Sequence, residues 1–268
     1  MPLEITSRQN PAVRAVRDLA RAREGDRVLL DGAHLVEEAL EADLAIELAI
    51  AGQAFAGSNA ALLRRLEGRA AVHVAADAVL EYASPVKAPG GVLAIARLPA
   101  ATVRDAFGET HAHDSAYRAA MAVALVDVQD PGNAGAVVRS VEAAGGTGVI
   151  ACGATADLRG WKALRASMGS AFRVPLAEAT VDQLFDEARA ARVRVMASTI
   201  EPASAEMRDL RWHEPFVLLV GNEGRGLPRE ITARAELRVR IPMFGRAQSM
   251  NAAVSAAVIL FEAQRQRG

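Results

Sequence analysis

Three short segments rich in glycine and asparagine carry the residues best suited to chemistry in this 268-residue chain. They are DPGNAGAVVRS at 130–140, GNEGRGLP at 221–228 and IPMFGRAQSMN at 241–251. The first two follow the apolar runs AVALV and FVLLV, which are typical of buried strands, and the third follows LRVR. Ligands of open α/β sheets bind at the carboxyl ends of strands, where glycine lets backbone approach a bound molecule. Three such loops on one sheet would converge on one pocket, which favours an enzyme with a nucleotide-like ligand.

The first segment has the most specific pattern. Asn133, Gly135 and Arg139 form an N-x-G-x-x-x-R array that opens a predicted helix, with Asn133 at the N-cap. The second segment is not a Walker loop, because no Gly-Lys-Ser/Thr follows it, and it lies too late to be a Rossmann fingerprint. The chain also lacks an early G-x-G-x-x-G with a downstream acid, which argues against a nicotinamide-dependent dehydrogenase.

The C-terminal part alternates between strand and helix signals. Strands are predicted at 121–127, 147–152, 193–198, 215–221 and 237–242, and helices at 133–144, 181–191 and 250–265. Such alternation predicts a mostly parallel, doubly wound α/β sheet. The last helix is the clearest, with Ser249 as a plausible N-cap. Its apolar face comprises Met250, Ala253, Val254, Ala257, Val258 and Phe261.

Three regions are predicted along the chain. Residues 1–98 alternate helix and strand signals and favour a small α/β domain, and residues 121–268 form the larger one. Residues 99–120 lose the apolar periodicity and favour a linker, mobile at least in part. His111 and His113 lie in this stretch without carboxylate or cysteine partners, so a solvated linker is favoured over a metal site.

Composition sets further limits. A hydrophobic fraction of 51% with 24% charged residues is ordinary for a globular protein, and a net charge of −1 leaves nucleic-acid binding to local patches. The N-terminus does not resemble a signal peptide, and no uncharged apolar run approaches the ~20 residues that span a bilayer, so we expect a cytoplasmic protein without a membrane partner. Cys152 is the only cysteine, which excludes an internal disulfide and argues against a Cys-rich zinc site.

In their order and spacing, the three segments closely resemble the signature of the SpoU/TrmH family of RNA 2′-O-ribose methyltransferases, in the SPOUT superfamily. That family has N-x-G-x-x-x-R, then V-G-x-E-G-x-G, then I-P-M leading into S-L-N and an Ala/Ser-rich helix. SRQNPAVRAVRDL and VLLDGAHLVEEAL also resemble the family's L30e-like substrate-binding domain, so only the linker is unmatched. The chain departs from the pattern at Met250, at Ala252 and Ala253, and at Asp31, where family members often have Glu.

The resemblance implies a trefoil-knotted α/β catalytic domain, a homodimer, and transfer of a methyl group from S-adenosylmethionine to a ribose 2′-hydroxyl of RNA. No metal is implied. The residues that would bind the cofactor, by motif, are Gly221, Asn222, Ile241, Met243, Ser249, Met250 and Asn251.

The resemblance further implies a catalytic set of Arg139, Asn133 and Glu223. A guanidinium holds its proton at neutral pH and is a poor base, so we favour Arg139 as an anchor for an RNA phosphate and a stabiliser of the developing alkoxide. Asn133 and Glu223 would orient Arg139 or the ribose. For Glu223 the competing interpretation is a salt bridge that stabilises the loop.

Two basic stretches are candidate RNA contacts. Residues 157–176 carry Arg159, Lys162 and Arg165 among aromatic side chains, which suits phosphate contact and base stacking. The alternative there is a solvated helix face whose aromatics belong to the core. Arg14 and Arg17 share one face of the first predicted helix and form the second candidate surface.

Three functions remain open from the sequence. Methylation of ribosomal RNA is favoured, because tRNA-specific members of the family usually have a different, shorter extension than the front domain found here. Methylation of tRNA is the alternative with the same chemistry. A non-catalytic RNA-binding protein that assists ribosome assembly is the alternative of another class, and the presence of Asn133, Arg139 and Glu223 argues against it.

Overall fold

The protein, described here by a computed structural model over residues 3–108 and 119–268, folds into two units. The first unit comprises Met1–Pro99 and Arg159–Phe172, and the second comprises Ala100–Leu158 and Arg173–Gly268. Each unit has its own β-sheet.

The strands of the first sheet are β1 (Leu3–Ile5), β2 (Arg27–Asp31), β3 (Ile46–Gly52), β4 (Ala71–Ala75) and β5 (Val92–Arg97). The strands of the second sheet are β6 (Met121–Val126), β7 (Gly148–Cys152), β8 (Leu176–Ala179), β9 (Arg194–Ser198), β10 (Ala205–Glu206), β11 (Phe216–Val220) and β12 (Leu237–Arg240). The helices are α1 (Pro11–Arg21), α2 (Ala33–Glu41), α3 (Gln53–Ser58), α4 (Ala60–Glu67), α5 (Asp77–Ala83), α6 (Val103–Ala106), α7 (Pro131–Ala143), α8 (Trp161–Ser167), α9 (Val181–Ala191), α10 (Arg229–Arg234) and α11 (Ala252–Arg267).

The first unit is a mixed sheet with helices packed on it. Its strand order is β1-β4-β3-β5-β2, with β5 antiparallel to both of its neighbours and the other pairs parallel. Helix α1 begins after Asn10, whose side chain accepts a hydrogen bond from the amide of Ala12, and Pro11 occupies its first turn. Its apolar positions Val13, Val16 and Leu19 are buried in the core of this unit.

The second unit confirms the predicted parallel α/β sheet. Its strand order is β10-β12-β9-β11-β6-β7-β8, and every adjacent pair is parallel. Every residue of β6 and β11 is buried, as expected of central strands covered on both faces. The carboxyl ends of β6, β9, β11 and β12 therefore lie at one edge of the sheet. The trefoil knot and the L30e-like character of the first unit stay predictions.

Helix α11 differs from its prediction in its cap and in the face it buries. Its N-cap is Asn251 rather than Ser249, because the Asn251 side-chain oxygen accepts hydrogen bonds from the amides of Ala253 and Val254. Val254 and Phe261, on the predicted apolar face, are 48% and 52% exposed. The buried residues of the helix are Ala252, Ala253, Ala256, Ile259, Leu260 and Ala263. The helix is thus apolar on two sides.

The unit boundaries differ from the predicted ones in two places. Part of the predicted linker is folded, since Thr102 and Asp105 form a capping box for α6, which packs on the core of the second unit. A four-residue helix is too short to leave a periodic signal. Residues 159–172 belong to the first unit, because Trp161 packs against its core. His111 and His113 lie outside the described residues.

Candidate active site

A cavity of about 640 Å³ opens at the carboxyl edge of the second sheet. Its walls come from the residues that follow β9, β11 and β12, together with the start of α11. Two of the three glycine- and asparagine-rich segments therefore line one pocket, and the third, which follows β6, is hydrogen-bonded to both. This convergence agrees with the expectation that strand-end loops of a parallel sheet meet.

The loop after β11 can form only with glycine at its first position. A side-chain carbon at Gly221 would lie 2.4 Å from the carbonyl carbon of Gly226 and from the amide nitrogen of Leu227. The amide of Gly226 in turn donates to the carbonyl of Asn222, at 2.9 Å. The loop thus folds back tightly on itself, and Gly221 is required by this close backbone approach.

Asn222 fastens this loop to the end of β6. Its side-chain nitrogen donates to the carbonyl of Asp127 at 2.9 Å, and its side-chain oxygen accepts from the amides of Gly224 and Arg225 at 3.0 and 3.1 Å. Asp127 itself has a left-handed backbone, with φ of 56°, and its carboxylate accepts from the amide of Ala154. Asn222 therefore has a structural role in addition to lining the cavity.

A chain of hydrogen bonds joins the three segments. Asn251 donates from its side-chain nitrogen to the side-chain oxygen of Asn133 at 2.8 Å, and Asn133 donates to Glu223 Oε1 at 3.0 Å. The backbone amide of Asn133 is held by Asp130, the N-cap of α7. Because the side-chain amides of Asn133 and Asn251 each donate and accept a hydrogen bond, their orientations are fixed. The Glu223 carboxylate polarises this series of hydrogen bonds.

The Glu223 carboxylate is anionic at neutral pH. Partial burial by itself would raise its pKa, but hydrogen bonds from Asn133 and from the backbone amides of Glu223, Asp130 and Gln129 outweigh that effect, so its pKa is lowered. Within the described part of the chain, no arginine or lysine forms an ion pair with Glu223. Among those residues, hydrogen bonds hold Glu223, in place of the salt bridge of the competing interpretation.

Most of the residues predicted to bind a cofactor line the cavity. These residues are Gly221, Asn222, Ile241, Met243, Ser249 and Met250. Asn251 does not line it, but it caps α11, whose first residue does. Glu223 also lines the cavity, while Asn133 reaches it through its hydrogen bond to Glu223.

Arg139 lies apart from the hydrogen-bonded residues Asn251, Asn133 and Glu223. It is six residues beyond Asn133 on α7, which places the two side chains about 120° apart around the helix axis. It is exposed, does not line the cavity, and has no hydrogen-bond or ion-pair partner among the described residues. The predicted orientation of Arg139 by Asn133 or Glu223 is therefore absent from this structure.

The predicted RNA contacts divide into exposed and buried side chains. Arg14, Lys162 and Arg165 are exposed and Arg17 is partly exposed. Arg159 is only 6% exposed and donates to the carbonyl of Leu98, so its prediction as an RNA contact is corrected: it has almost no surface to offer a polyanion. Trp161 packs on the core of the first unit, as the alternative interpretation of this segment held.

The sequence reasoning missed one wall of the cavity. Residues 198–202, at the end of β9, line it, and so do Arg225, Arg229 and Arg240. The strand at 193–198 was predicted, and the same strand-end rule could have identified the residues beyond it. Thr199-Ile200-Glu201-Pro202 contains no glycine or asparagine, so composition does not mark this loop as part of a site.

Cysteine and metal-ligand chemistry contribute little to this site. Cys152, at the end of β7, is buried, and burial together with the nearby Asp127 raises the pKa of its thiol to about 12. Over residues 3–108 and 119–268, no three His, Cys, Asp or Glu side chains are placed to hold a metal ion. In the same ranges, no helix has both the length and the apolar character needed to cross a membrane.

Known proteins resemble the chain along nearly its whole length. It is 28% identical over 262 residues to the Bacillus subtilis protein named 23S rRNA (guanosine(2553)-2'-O)-methyltransferase RlmP, a match that covers 96% of this chain and 98% of that one. The AdoMet-bound rRNA methyltransferase from Sinorhizobium meliloti is 31% identical, with 98% and 97% of the two chains covered and a TM-score of 0.83. The SpoU methyltransferase AviRb from Streptomyces viridochromogenes, in complex with AdoMet, is 26% identical, with 97% and 98% covered and a TM-score of 0.81.

A family model gives the assignment directly. The model described as SpoU rRNA Methylase family matches residues 120–261, and this range holds all three segments and the whole cavity lining. The match covers more than half of the chain and coincides with most of the parallel sheet. The chain therefore belongs to the SpoU rRNA methylase family.

Proposed function

We propose that this chain transfers the methyl group of S-adenosylmethionine to a ribose 2′-hydroxyl of ribosomal RNA. The observation that carries the proposal is the strand-end cavity whose loops are joined by the Asn251–Asn133–Glu223 chain. This arrangement combines a nucleoside-sized space with one oriented anion.

The cavity fits the cofactor in size and in chemistry. Its volume of about 640 Å³ lies within the usual range for small-molecule sites. Ile241 and Met250 offer apolar surface for adenine, and Gly221 lines the cavity with backbone alone, which suits polar main-chain contacts. Full-length relatives hold AdoMet in solved structures, which supports the same ligand here. When bound, S-adenosylmethionine supplies a methyl group on a positively charged sulfur, which is a good leaving group.

The residues of this chain contribute by positioning and charge. Glu223 stays ionised, so it can accept a hydrogen bond from the ribose hydroxyl and stabilise a nearby positive charge. Asn133 fixes the direction of that carboxylate, and Asn251 fixes Asn133. Such preorganisation lowers the barrier because the groups need not reorient during the reaction.

Arg139 is proposed as the residue that anchors an RNA phosphate and stabilises the developing alkoxide. Its guanidinium is exposed and has no partner within the described residues, so all its donors are available to RNA. Arg14, Arg17, Lys162 and Arg165 are proposed as contacts that hold the RNA by its phosphates.

Ribosomal RNA is proposed as the substrate because the relatives named for it match the full length of the chain, including the first unit. A ribosomal substrate would also place the enzyme in the cytoplasm.

A homodimer is proposed from the second apolar side of α11. Val254 and Phe261 are about half exposed, and with Ala257 and Val258 they form a stripe at helical spacing. An exposed apolar stripe on the helix that Asn251 caps would be covered by a second copy of the same helix in a two-fold dimer.

The function is tested by mapping 2′-O-methyl groups in RNA from cells with and without the gene. We expect one ribosomal position to lose its methyl group in the deletion and to regain it when the gene is restored. Calorimetry with purified protein should show uptake of S-adenosylmethionine. An unchanged methylation map, or the absence of cofactor binding with and without RNA, would contradict the proposal.

A further inference from the structure

Tyr82 lies at the centre of a cationic surface on the first unit. Its side chain, at the end of α5, is 37% exposed. The guanidinium carbons of Arg17 and Arg8 lie over its ring, 4.0 and 4.8 Å from the ring centre. Arg17 also donates a hydrogen bond to the carbonyl oxygen of Tyr82. We call these three residues the Tyr82 cluster.

The core of the unit fixes this arrangement. Val16 of α1 and Leu80 of α5 are both buried in the same cluster of apolar side chains, which sets the two helices against each other. Arg17 follows Val16 and Tyr82 lies two residues after Leu80, so the helices carry them to the surface side by side. Arg14 lies one turn before Arg17 on α1 and extends the cationic surface.

The arginines of this surface differ from other arginines of the unit in their pairing. Within the described residues, no carboxylate lies within ion-pair distance of Arg8, Arg14 or Arg17. Other arginines of the same unit are paired, such as Arg27 with Glu47 at 3.0 Å. Two guanidinium groups over one aromatic ring, with a third one helical turn away, form a site for an anion that also has a flat apolar face.

We propose that the Tyr82 cluster binds an unpaired nucleotide of the RNA substrate. The base stacks on the exposed face formed by Tyr82 and Arg17, and Arg8 and Arg14 hold the flanking phosphates. Aromatic rings and guanidinium planes accept a base in single-stranded RNA, whereas the bases of a duplex are already stacked on each other. The inference rests on the proposed function for its ligand. It deepens that function, because it requires a single-stranded segment in the substrate, contacted outside the catalytic unit.

The test compares two fluorescent RNA probes on the full-length protein. They are a 12-nucleotide oligoadenylate and a 12-base-pair duplex, measured by anisotropy over a range of salt concentrations. We expect the wild-type protein to bind the single strand more tightly, and Tyr82→Ala and Arg8→Glu each to weaken that binding about tenfold. Tyr82→Phe, which keeps the ring, should bind like wild type. Duplex binding should change little in Tyr82→Ala.

The matched control is Arg64→Glu on α4. Arg64 is exposed on the same unit, so this variant makes the same change in charge as Arg8→Glu without touching the cluster. The inference is overturned if Tyr82→Ala binds the single strand like wild type, if Tyr82→Phe loses as much affinity as Tyr82→Ala, or if the control weakens binding as much as Arg8→Glu.

Methyl transfer by the wild-type protein separates this inference from the proposed function. If the wild-type protein methylates ribosomal RNA but Tyr82→Ala binds the single strand like wild type, only the stacking site is refuted. A protein that binds the single strand through Tyr82 but never transfers a methyl group refutes only the enzymatic function. Thermal unfolding of each variant shows whether it is folded.

Discussion

The side chain of Asn133 donates to Glu223 across 90 residues of sequence, at 3.0 Å. The same amide accepts from Asn251, so one residue joins the helix after β6 to the loops after β11 and β12. We expect Asn133→Ala and Glu223→Ala to impair methyl transfer strongly and non-additively, because both disrupt one network. A double-mutant cycle on kcat/KM should give a coupling of about 0.5–3 kcal/mol.

Additive losses would contradict a shared role for the pair.

Because hydrogen bonds lower the pKa of Glu223, its charge is lost only as the pH falls through that lowered value, and the contribution of Glu223 to methyl transfer should stay constant above about pH 5. A pH profile of wild type and Glu223→Gln checks this, since their ratio should be flat across the neutral range.

Arg139→Ala should abolish methylation and leave cofactor binding nearly intact. Arg139 is exposed, has no partner in the described ranges and does not line the cavity, so its loss should cost little stability. We expect kcat to fall by about 10²–10³. The control is Arg211→Ala, since Arg211 is an exposed arginine of the same unit that has no partner over residues 3–108 and 119–268. Near-wild-type turnover by Arg139→Ala would refute its catalytic role.

Gly221→Ala should disrupt the cofactor site through the backbone. Its added carbon would meet Gly226 and Leu227 at 2.4 Å, and backbone atoms cannot yield as a flexible side chain can. Overpacking of this kind costs about 1–3 kcal/mol, which we expect as weaker S-adenosylmethionine binding in calorimetry and a lower Tm. Gly245→Ala is the control, because the added carbon there has open space around it. Equal affinity in the two variants would argue against a tight loop.

Phe261→Glu should produce a monomer. A charge in the exposed stripe of α11 would be buried in the proposed dimer without a partner, at a cost of several kcal/mol. Sedimentation measures the change. Phe244→Glu serves as the control for loss of an exposed phenylalanine, because Phe244 is 86% exposed and lies outside the stripe. An unchanged dimer in Phe261→Glu would place the interface elsewhere, and a monomeric wild type would remove it.

Cys152 should resist alkylation in the folded protein. Burial, followed by the effect of Asp127, raises the pKa of its thiol to about 12, so the reactive thiolate is scarce at pH 8 and access is blocked. In the unfolded chain the thiol titrates near its ordinary value, and labelling should become rapid. Iodoacetamide followed by mass spectrometry compares the two states. Rapid labelling of native protein would show that the end of β7 opens readily.

The sequence predicts the catalytic sheet well because its central strands are continuous apolar runs. The runs at 121–126 and 216–220 have one simple explanation, a strand covered on both faces, and glycine-rich turns mark where they end. Helix α11 is harder, since it is apolar on two sides and periodicity alone cannot say which side the fold buries.

Contacts between distant residues set the limit of prediction. The strand-end rule brings Asn133 and Glu223 to one edge, but it does not show that Asn251 completes the chain or that Arg139 faces away. Arg159 and Arg165 look equivalent in the sequence, yet one is buried and the other exposed, because only tertiary packing distinguishes them. Tyr82 and Arg17 are 65 positions apart, so no local pattern joins them.

The dependence of the site on Asn251 has a consequence for biosynthesis. Asn251 lies 118 positions after Asn133, and its side chain is held in place by the first amides of α11, which it caps. A nascent polypeptide whose last segment is still inside the exit tunnel cannot close the link to Asn133. The site can therefore form only after residues 252–267 have left the tunnel, and a frameshift before codon 251 would remove the link to Asn133.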